Sequence, residues 1–527
     1  MQNLTAALRL LPVLIVVAVC LAFDWMRAAR LSWLGMDRAL EECFAVVHSP
    51  DLQWWLVACV LVYCVCFAWM NWVISLSGRG RLVCGMALVL LGVIRYVRNY
   101  AHASMATDTL VLCFGVALFG GIFFGRALEF NYAKHPRLSA ILLGMVLTVF
   151  CLALLTDNST GQAFSYRGQA RWSGRWDNPN TFGVLMAVGV VLAVGWAVSG
   201  VRCQVSGDKE AESRKWKAEI GRWVGIALLA AAAVGCGVGL VKSYSRGAWL
   251  GAVCGLGFIG YQVVRCQVSG AAKTESRKQK VEISCSSCVS WFRRNWLPVA
   301  AIVVSVVALG FWNWRHTERT FARRVASVAN ARDFSSRNRV AAWVGALQML
   351  AGKPWLGFGW NQPERVYEEL YCPPNVPEAM AIQLNDYFTL GITLGIPALV
   401  CFIAFVGLNL TRSAECGIRN EEEAPHPGPL RRPIPNSLIR RADTFSHPMG
   451  EGNPASEGQA ARKSRHPSLE LACRAGVLVL LVGFWFDGGL FKLPTSSVFW
   501  ILLALGSGGE IAGSESRLES SGTHRPV

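Results

Sequence analysis

Apolar residues in this chain fall in long blocks separated by short polar connections, a pattern that soluble helices do not show. A hydrocarbon core about 30 Å thick takes roughly 20 apolar residues per helix. Stretches of that kind recur at 8–23, 54–76, 82–99, 105–125, 138–156, 180–200, 222–242, 247–264, 297–314, 387–410, 473–489 and 496–509. Backbone groups in a bilayer must be satisfied internally, so repeated blocks of this length predict a helical bundle. A β-barrel would show alternating segments of about 10 residues. The expected fold is all-α: a polytopic integral membrane helical bundle of about 12 transmembrane helices, with one long outer loop. The connection 489–495 reads as a tight turn or a re-entrant piece.

Composition supports this reading. Of 527 residues, 53% are hydrophobic and only 16% charged, where a soluble chain carries about a quarter. The net charge of +17 is largely a topology signal, because Lys and Arg concentrate in loops that become cytoplasmic if the N-terminus is inside. These loops hold Arg79 and Arg81, Arg126 to Arg137, Arg202 to Lys217, and Arg265 to Arg294. Both termini are then cytoplasmic. Cations scattered among membrane-flanking loops argue against nucleic-acid binding.

The segments 201–217 (VRCQVSGDKEAESRKWK) and 264–280 (VRCQVSGAAKTESRKQK) are near copies. A repeat confined to loops reads as inserted low-complexity sequence rather than a structural unit. The Pro/Gly-rich stretch 420–467 reads the same way. The expected organisation is 1–150 as N-terminal helices, 151–410 as the functional core with the outer loop 315–386, 411–472 as a cytoplasmic insertion, 473–510 as C-terminal helices and 511–527 as a disordered tail. Many of the 18 Cys lie inside spans, where they act as small apolar residues. Cys285-x-x-Cys288 has no second pair or His set at ligand spacing, so no metal is expected.

The outer face has loops at 157–179, 242–246 and 315–386. They are rich in Arg, including Arg171, Arg175, Arg246 and Arg339, which suits bidentate phosphate recognition. Solvated or headgroup-facing surface is the competing reading for most of them. Arg246 stands apart, since a five-residue connection holds it at the mouth between two spans. Trp172, Trp176, Trp312 and Trp314 fit membrane-interface positions, or stacking on sugar rings.

Four segments, in order, resemble the O-antigen ligase and O-antigen polymerase superfamily. They are Trp176-Asp-Asn-Pro-Asn-Thr-Phe182, Tyr244-Ser-Arg-Gly-Ala-Trp-Leu250, Arg339-Val-Ala-Ala-Trp343 with Gly352-Lys-Pro-Trp-Leu-Gly-Phe-Gly359, and Leu384-Asn-Asp-Tyr-Phe388 followed by Gly395. The resemblance covers about 150 to 400.

It implies transfer or polymerisation of an undecaprenyl-pyrophosphate-linked glycan on the outer face of a bacterial inner membrane. The acceptor would be a lipid A core or another lipid-linked unit. The enzyme would be a metal-independent glycosyltransferase without cofactors, the pyrophosphate being the leaving group. Catalytic roles would fall to Arg246, Arg339, Asn385 and Asp386, and substrate binding to Arg171, Arg175, Asn180, Ser245, Trp343, Gly357 and Gly359. Preorganised Arg would stabilise the developing pyrophosphate charge. Where the family has His the chain has Leu384, which leaves three accounts: the polymerase side of the family, where that His is not uniformly required; Asp386, Glu378, Glu369 or His316 as base; or a loss of activity. Asn385 and Asp386 can equally cap a helix, and Gly357 and Gly359 can equally shape a turn. The alternatives are a transporter or flippase of lipid-linked glycans, against which the lack of an inverted repeat between two halves speaks, and a non-catalytic partner of a polysaccharide assembly machine.

Overall fold

The computed structural model describes residues 79–98, 165–166, 169–174, 176, 178–200, 212–276, 334–360, 362–372, 385–411, 467–486 and 488–506, with helical positions scattered over 143–154. The helices are α1 (Arg79–Arg98), α2 (Pro179–Gly200), α3 (Glu212–Ser243), α4 (Arg246–Ser276), α5 (Phe334–Gly352), α6 (Gln362–Val366), α7 (Asp386–Leu394), α8 (Ile396–Thr411), α9 (Pro467–Phe486) and α10 (Leu493–Gly506). A π turn, Tyr367–Tyr371, continues α6. One minimal hairpin pairs β1 (Ser165–Tyr166) with β2 (Gln169–Ala170). Among the described residues everything else regular is helical, so the all-α class holds.

Three of these helices are long and apolar enough to cross a membrane, over Pro179–Val198, Val224–Ser243 and Leu469–Phe486. Val83–Arg95, Ile396–Leu410 and Pro494–Gly506 are apolar but shorter. The spans expected at 8–23, 54–76, 105–125 and 297–314 lie outside the described residues.

Small residues let the helix backbones approach closely, the usual route to association where lipid removes the hydrophobic drive. A Cβ at Gly195 of α2 would lie 2.8 Å from that of Ala472 on α9, and one at Gly483 of α9 would lie 3.0 Å from Val184 of α2. The two helices therefore run antiparallel. The same holds for α4 and α9, through Gly251 with Val479 and Gly255 with Ala475. It holds for α2 and α3, through Gly183 with Ser243 and Gly189 with Cys236. It holds again for α1 and α8, where Gly85 meets Phe405 and Arg81 reaches Oδ1 of Asn409 at 3.3 Å. The first three pairings bring the start of α2 and α4 and the end of α3 and α9 to one end of the bundle. There Asp386 at the start of α7 meets Leu490 after α9, and Trp360, bonded to Gly92 of α1, packs on Phe491.

Three expectations are corrected. The block 387–410 is two helices, because Gly395 takes φ 95° and its N–H caps the Gly391 carbonyl, ending α7 before α8 begins. The repeat segments are not wholly loop: residues 212–217 start α3 and residues 264–276 extend α4, Ala, Glu, Lys and Arg being good helix formers. Trp176 is no interface marker but is buried, its ring 6.0 Å from Phe182. The connection after α9 is a tight turn, in which Lys492 N–H closes on Gly489 O at 3.2 Å.

Candidate functional site

The first half of the site begins at the start of α2. Asn178 is its N-cap: its carbonyl accepts from Phe182 N–H at 3.1 Å, and its side chain accepts from Asn180 N–H at 2.8 Å. Pro179, with no N–H to satisfy, sits at the first helical position. The Asn-Pro-Asn motif is thus a helix start.

Opposite it lies the turn between α3 and α4. Ser243 Oγ donates to Leu240 O at 2.7 Å and accepts from Ser245 N–H at 3.2 Å. Tyr244 takes φ 50° and is buried, and burial pushes its phenol above the ordinary value. Ser245 caps α4, its Oγ accepting from Ala248 N–H at 3.3 Å. Trp249 Nε1 donates back to Leu240 O at 3.1 Å. Gly183 allows the contact between the two pieces, since a Cβ there would lie 2.5 Å from Ser243 Oγ.

Arg171 ties the halves together. Its Nε donates to Ser243 O at 2.8 Å and its Nη2 to Asn180 Oδ1 at 2.6 Å. Beside it Trp172 N–H donates to Lys242 O at 3.1 Å. Arg246 follows as the first residue of α4, half-buried. A cation there opposes the positive end of the helix dipole, which favours anions. Together with Lys242 and Arg171, it makes this end of the bundle attractive to a phosphate group.

The second half is built on α5, α7 and α9. Arg339 and Trp343 lie one turn apart on α5, and the Arg339 Nε and Trp343 Nε1 atoms are both buried. Trp343 stands edge-on to Trp485, ring centroids 5.7 Å apart. Trp485 also packs on Tyr387 at 5.7 Å and Phe388 at 6.0 Å. Asn385 caps α7, its Oδ1 accepting from Tyr387 and Phe388 N–H at 3.1 and 3.2 Å. Its Nδ2 is buried without an acceptor, as is Trp343 Nε1, and such donors call for an explanation. Asp386 is buried, and its Oδ2 accepts from Leu490 N–H at 2.6 Å, holding the turn after α9.

Gly357 and Gly359 serve the break between α7 and α8. Phe358 and Gly359 N–H donate to Ile392 and Thr393 carbonyls at 2.7 and 3.0 Å, and Ile396 N–H donates to Pro354 O at 2.7 Å. A Cβ on Gly357, at φ 59°, would lie 2.2 Å from Ile392 O. These bonds occupy the Phe358 and Gly359 donors. They satisfy carbonyls at the C-terminus of α7 that its own helix leaves open.

The structure therefore gathers Arg171, Asn180, Ser245 and Arg246 in one cluster and Trp343, Asn385 and Asp386 around α7, α5 and the end of α9. Arg339 sits beside Trp343 on α5. Asn180, Ser245, Gly357 and Gly359 have demonstrable structural roles. Arg175, Leu384, Glu378 and His316 lie outside the described residues. Glu369 is exposed on the π turn and pairs with Arg365 at 2.7 Å.

Arg95 and Trp485 were not picked out from the sequence. Arg95 is buried on α1, and its Nη2 donates to Gly357 O at 2.5 Å. Next to it Trp360 Nε1 donates to Gly92 O at 3.0 Å. An arginine inside an apolar block was the available signal. Among the described residues no three His, Cys, Asp or Glu gather as a metal site.

Residues 231–403, which contain the α3–α4 turn, α5 and α7, match the O-antigen ligase family. This family suggests a role in glycan transfer at a membrane. No curated protein matches the chain.

Proposed function

We propose, from the match of residues 231–403 to the O-antigen ligase family, that the protein transfers or polymerises an undecaprenyl-pyrophosphate-linked glycan at the outer face of a bacterial inner membrane. The observation that carries the reading is the cationic end of the bundle. There Arg171 fastens the start of α2 to the α3–α4 turn, and Arg246 opens α4. In this reading Arg246 and Arg339 bind the donor pyrophosphate and stabilise charge on it as the glycosidic bond to the carrier breaks. Arg171 contributes by fixing the turn that presents Arg246. Asn385 and Asp386 place the acceptor hydroxyl. The leaving group is already activated, so the reaction needs no metal or nucleotide.

A second reading, a non-catalytic partner, has its own observation. The family His position is Leu384, and Asp386 Oδ2 is already engaged by Leu490 N–H in holding the turn after α9. Deleting the gene and examining the surface glycan and the lipid-linked pool on gels separates the possibilities. Single-unit caps without long chains indicate a polymerase, and full-length polymer retained on its carrier indicates a ligase. An unchanged pattern removes the catalytic reading.

A further inference from the structure

Helix α5 has two apolar faces. Ala342, Ala346 and Met349 are buried against Tyr367 and Ile392. On the other side Val340, Val344 and Leu347 are 55%, 51% and 55% exposed. Spacings of four and three residues align them in one stripe. Beyond the helix end Trp355 is 76% exposed and Leu356 39%. The bond from Ile396 N–H to Pro354 O joins this segment to α8, whose Ile396, Val400 and Ile403 are 42%, 56% and 55% exposed.

A helix facing water would carry mostly polar residues on that side; here Gln348 is the one polar side chain among the exposed positions of 338–352, and a largely apolar exposed face marks an interaction surface. In the sequence, polar residues flank this stretch: Ser335, Ser336 and Arg337 precede it and Lys353 follows it. That distribution suits headgroups flanking an acyl layer, with Trp at the boundary. Past Lys353, the exposed Trp355 and Leu356 adjoin α8 through the Ile396–Pro354 bond, and α8 is an apolar helix of the bundle. A soluble partner could not follow the apolar surface there.

We infer that α5 lies in the membrane interface, with Val340, Val344, Leu347 and Trp355 inserted among the acyl chains of bilayer lipids. The segment expected to be an aqueous outer loop is then partly membrane-embedded. Arg339 and Trp343 directly precede Val340 and Val344 in sequence, so a lipid-linked substrate would reach them by lateral movement. That last consequence rests on the proposed function; the lipid contact does not.

The test places p-benzoylphenylalanine at Val344, Leu347, Trp355 or, as control, exposed Glu369 in the full chain. Each variant is reconstituted in nanodiscs of phosphatidylethanolamine and phosphatidylglycerol, irradiated, and weighed by mass spectrometry. Trp355→p-benzoylphenylalanine exchanges one aromatic for another outside the helix, so it reads the same surface if the helix positions disturb folding. Gain of one phospholipid mass at 344, 347 and 355, and none at 369, is the expected result. Crosslinks to a second copy, or no lipid adduct at these positions, overturn the inference. Lipid adducts are read without turnover, so they stand or fall separately from glycan transfer.

Discussion

The guanidinium of Arg171 donates from Nε to the carbonyl of Ser243 at 2.8 Å, across 72 residues of sequence. With its second bond to Asn180, it makes one unit of two motifs that are separate in the chain. Arg246 follows that unit as the first residue of α4, so under the proposed function donor binding depends on a residue that need not touch the donor.

Replacing Arg171 tests this dependence. Each lost hydrogen bond to a charged group costs about 1.5–3 kcal/mol, discounted here because the side chain is only partly buried. Arg171→Ala should lower thermal stability in detergent and weaken donor binding together. Arg171→Lys should resemble Ala, since an ammonium cannot reproduce the forked contact. Differential scanning fluorimetry beside a donor-binding assay checks both.

Gly357→Ala should be among the more damaging single changes to this region. A Cβ there meets Ile392 O at 2.2 Å with φ at 59°, so both strain and the loss of the α7–α8 clamp are incurred, at roughly 1–3 kcal/mol for each strained residue. Limited proteolysis should show earlier cleavage of the purified variant than of the parent.

Asp386 separates positioning from proton transfer. Asp386→Asn keeps an oxygen able to accept from Leu490 N–H, so stability should change by less than about 1 kcal/mol, whereas Asp386→Ala should lose about 1–3 kcal/mol by leaving that donor buried and unpaired. If Asp386 only positions, the Asn variant retains transfer. Loss of turnover with an unchanged melt would instead assign it the proton.

Arg95→Met removes the donor to Gly357 O and should loosen the 354–360 segment. The expected result is a lower melting temperature with earlier amide exchange at Phe358 and Gly359, while exchange in α2 is unchanged. Hydrogen exchange by mass spectrometry reads both segments in one experiment.

Most helices at this end of the bundle were legible as apolar blocks, and the expected 180–200 and 82–99 differ from Pro179–Gly200 and Arg79–Arg98 by a few residues at most. The break in 387–410 was not, because apolar sequence continues on both sides of Gly395 and hides the change of direction. Pro397, just inside α8, was the local hint, since proline favours a first helical turn. The polar repeats were read as loop by hydropathy alone, although Ala, Glu and Lys also extend helices past the apolar stretch. Arg171, Asn180 and Ser245 were chosen from the sequence as substrate ligands. That they bind one another or cap a helix follows from tertiary contacts that no local pattern encodes. The Trp343–Trp485 contact spans two distant segments and was invisible for the same reason.

The central claim is that Arg246 holds the pyrophosphate of a lipid-linked donor. The direct measurement is the affinity of purified, nanodisc-embedded protein for undecaprenyl-pyrophosphate-linked glycan, parent against Arg246→Ala, with melting temperatures alongside. Loss of a charge-assisted contact worth about 1.5–3 kcal/mol predicts roughly a 10- to 150-fold weaker Kd at an unchanged melting temperature. Equal affinity in the two proteins would contradict the account and take Arg246 out of the donor site.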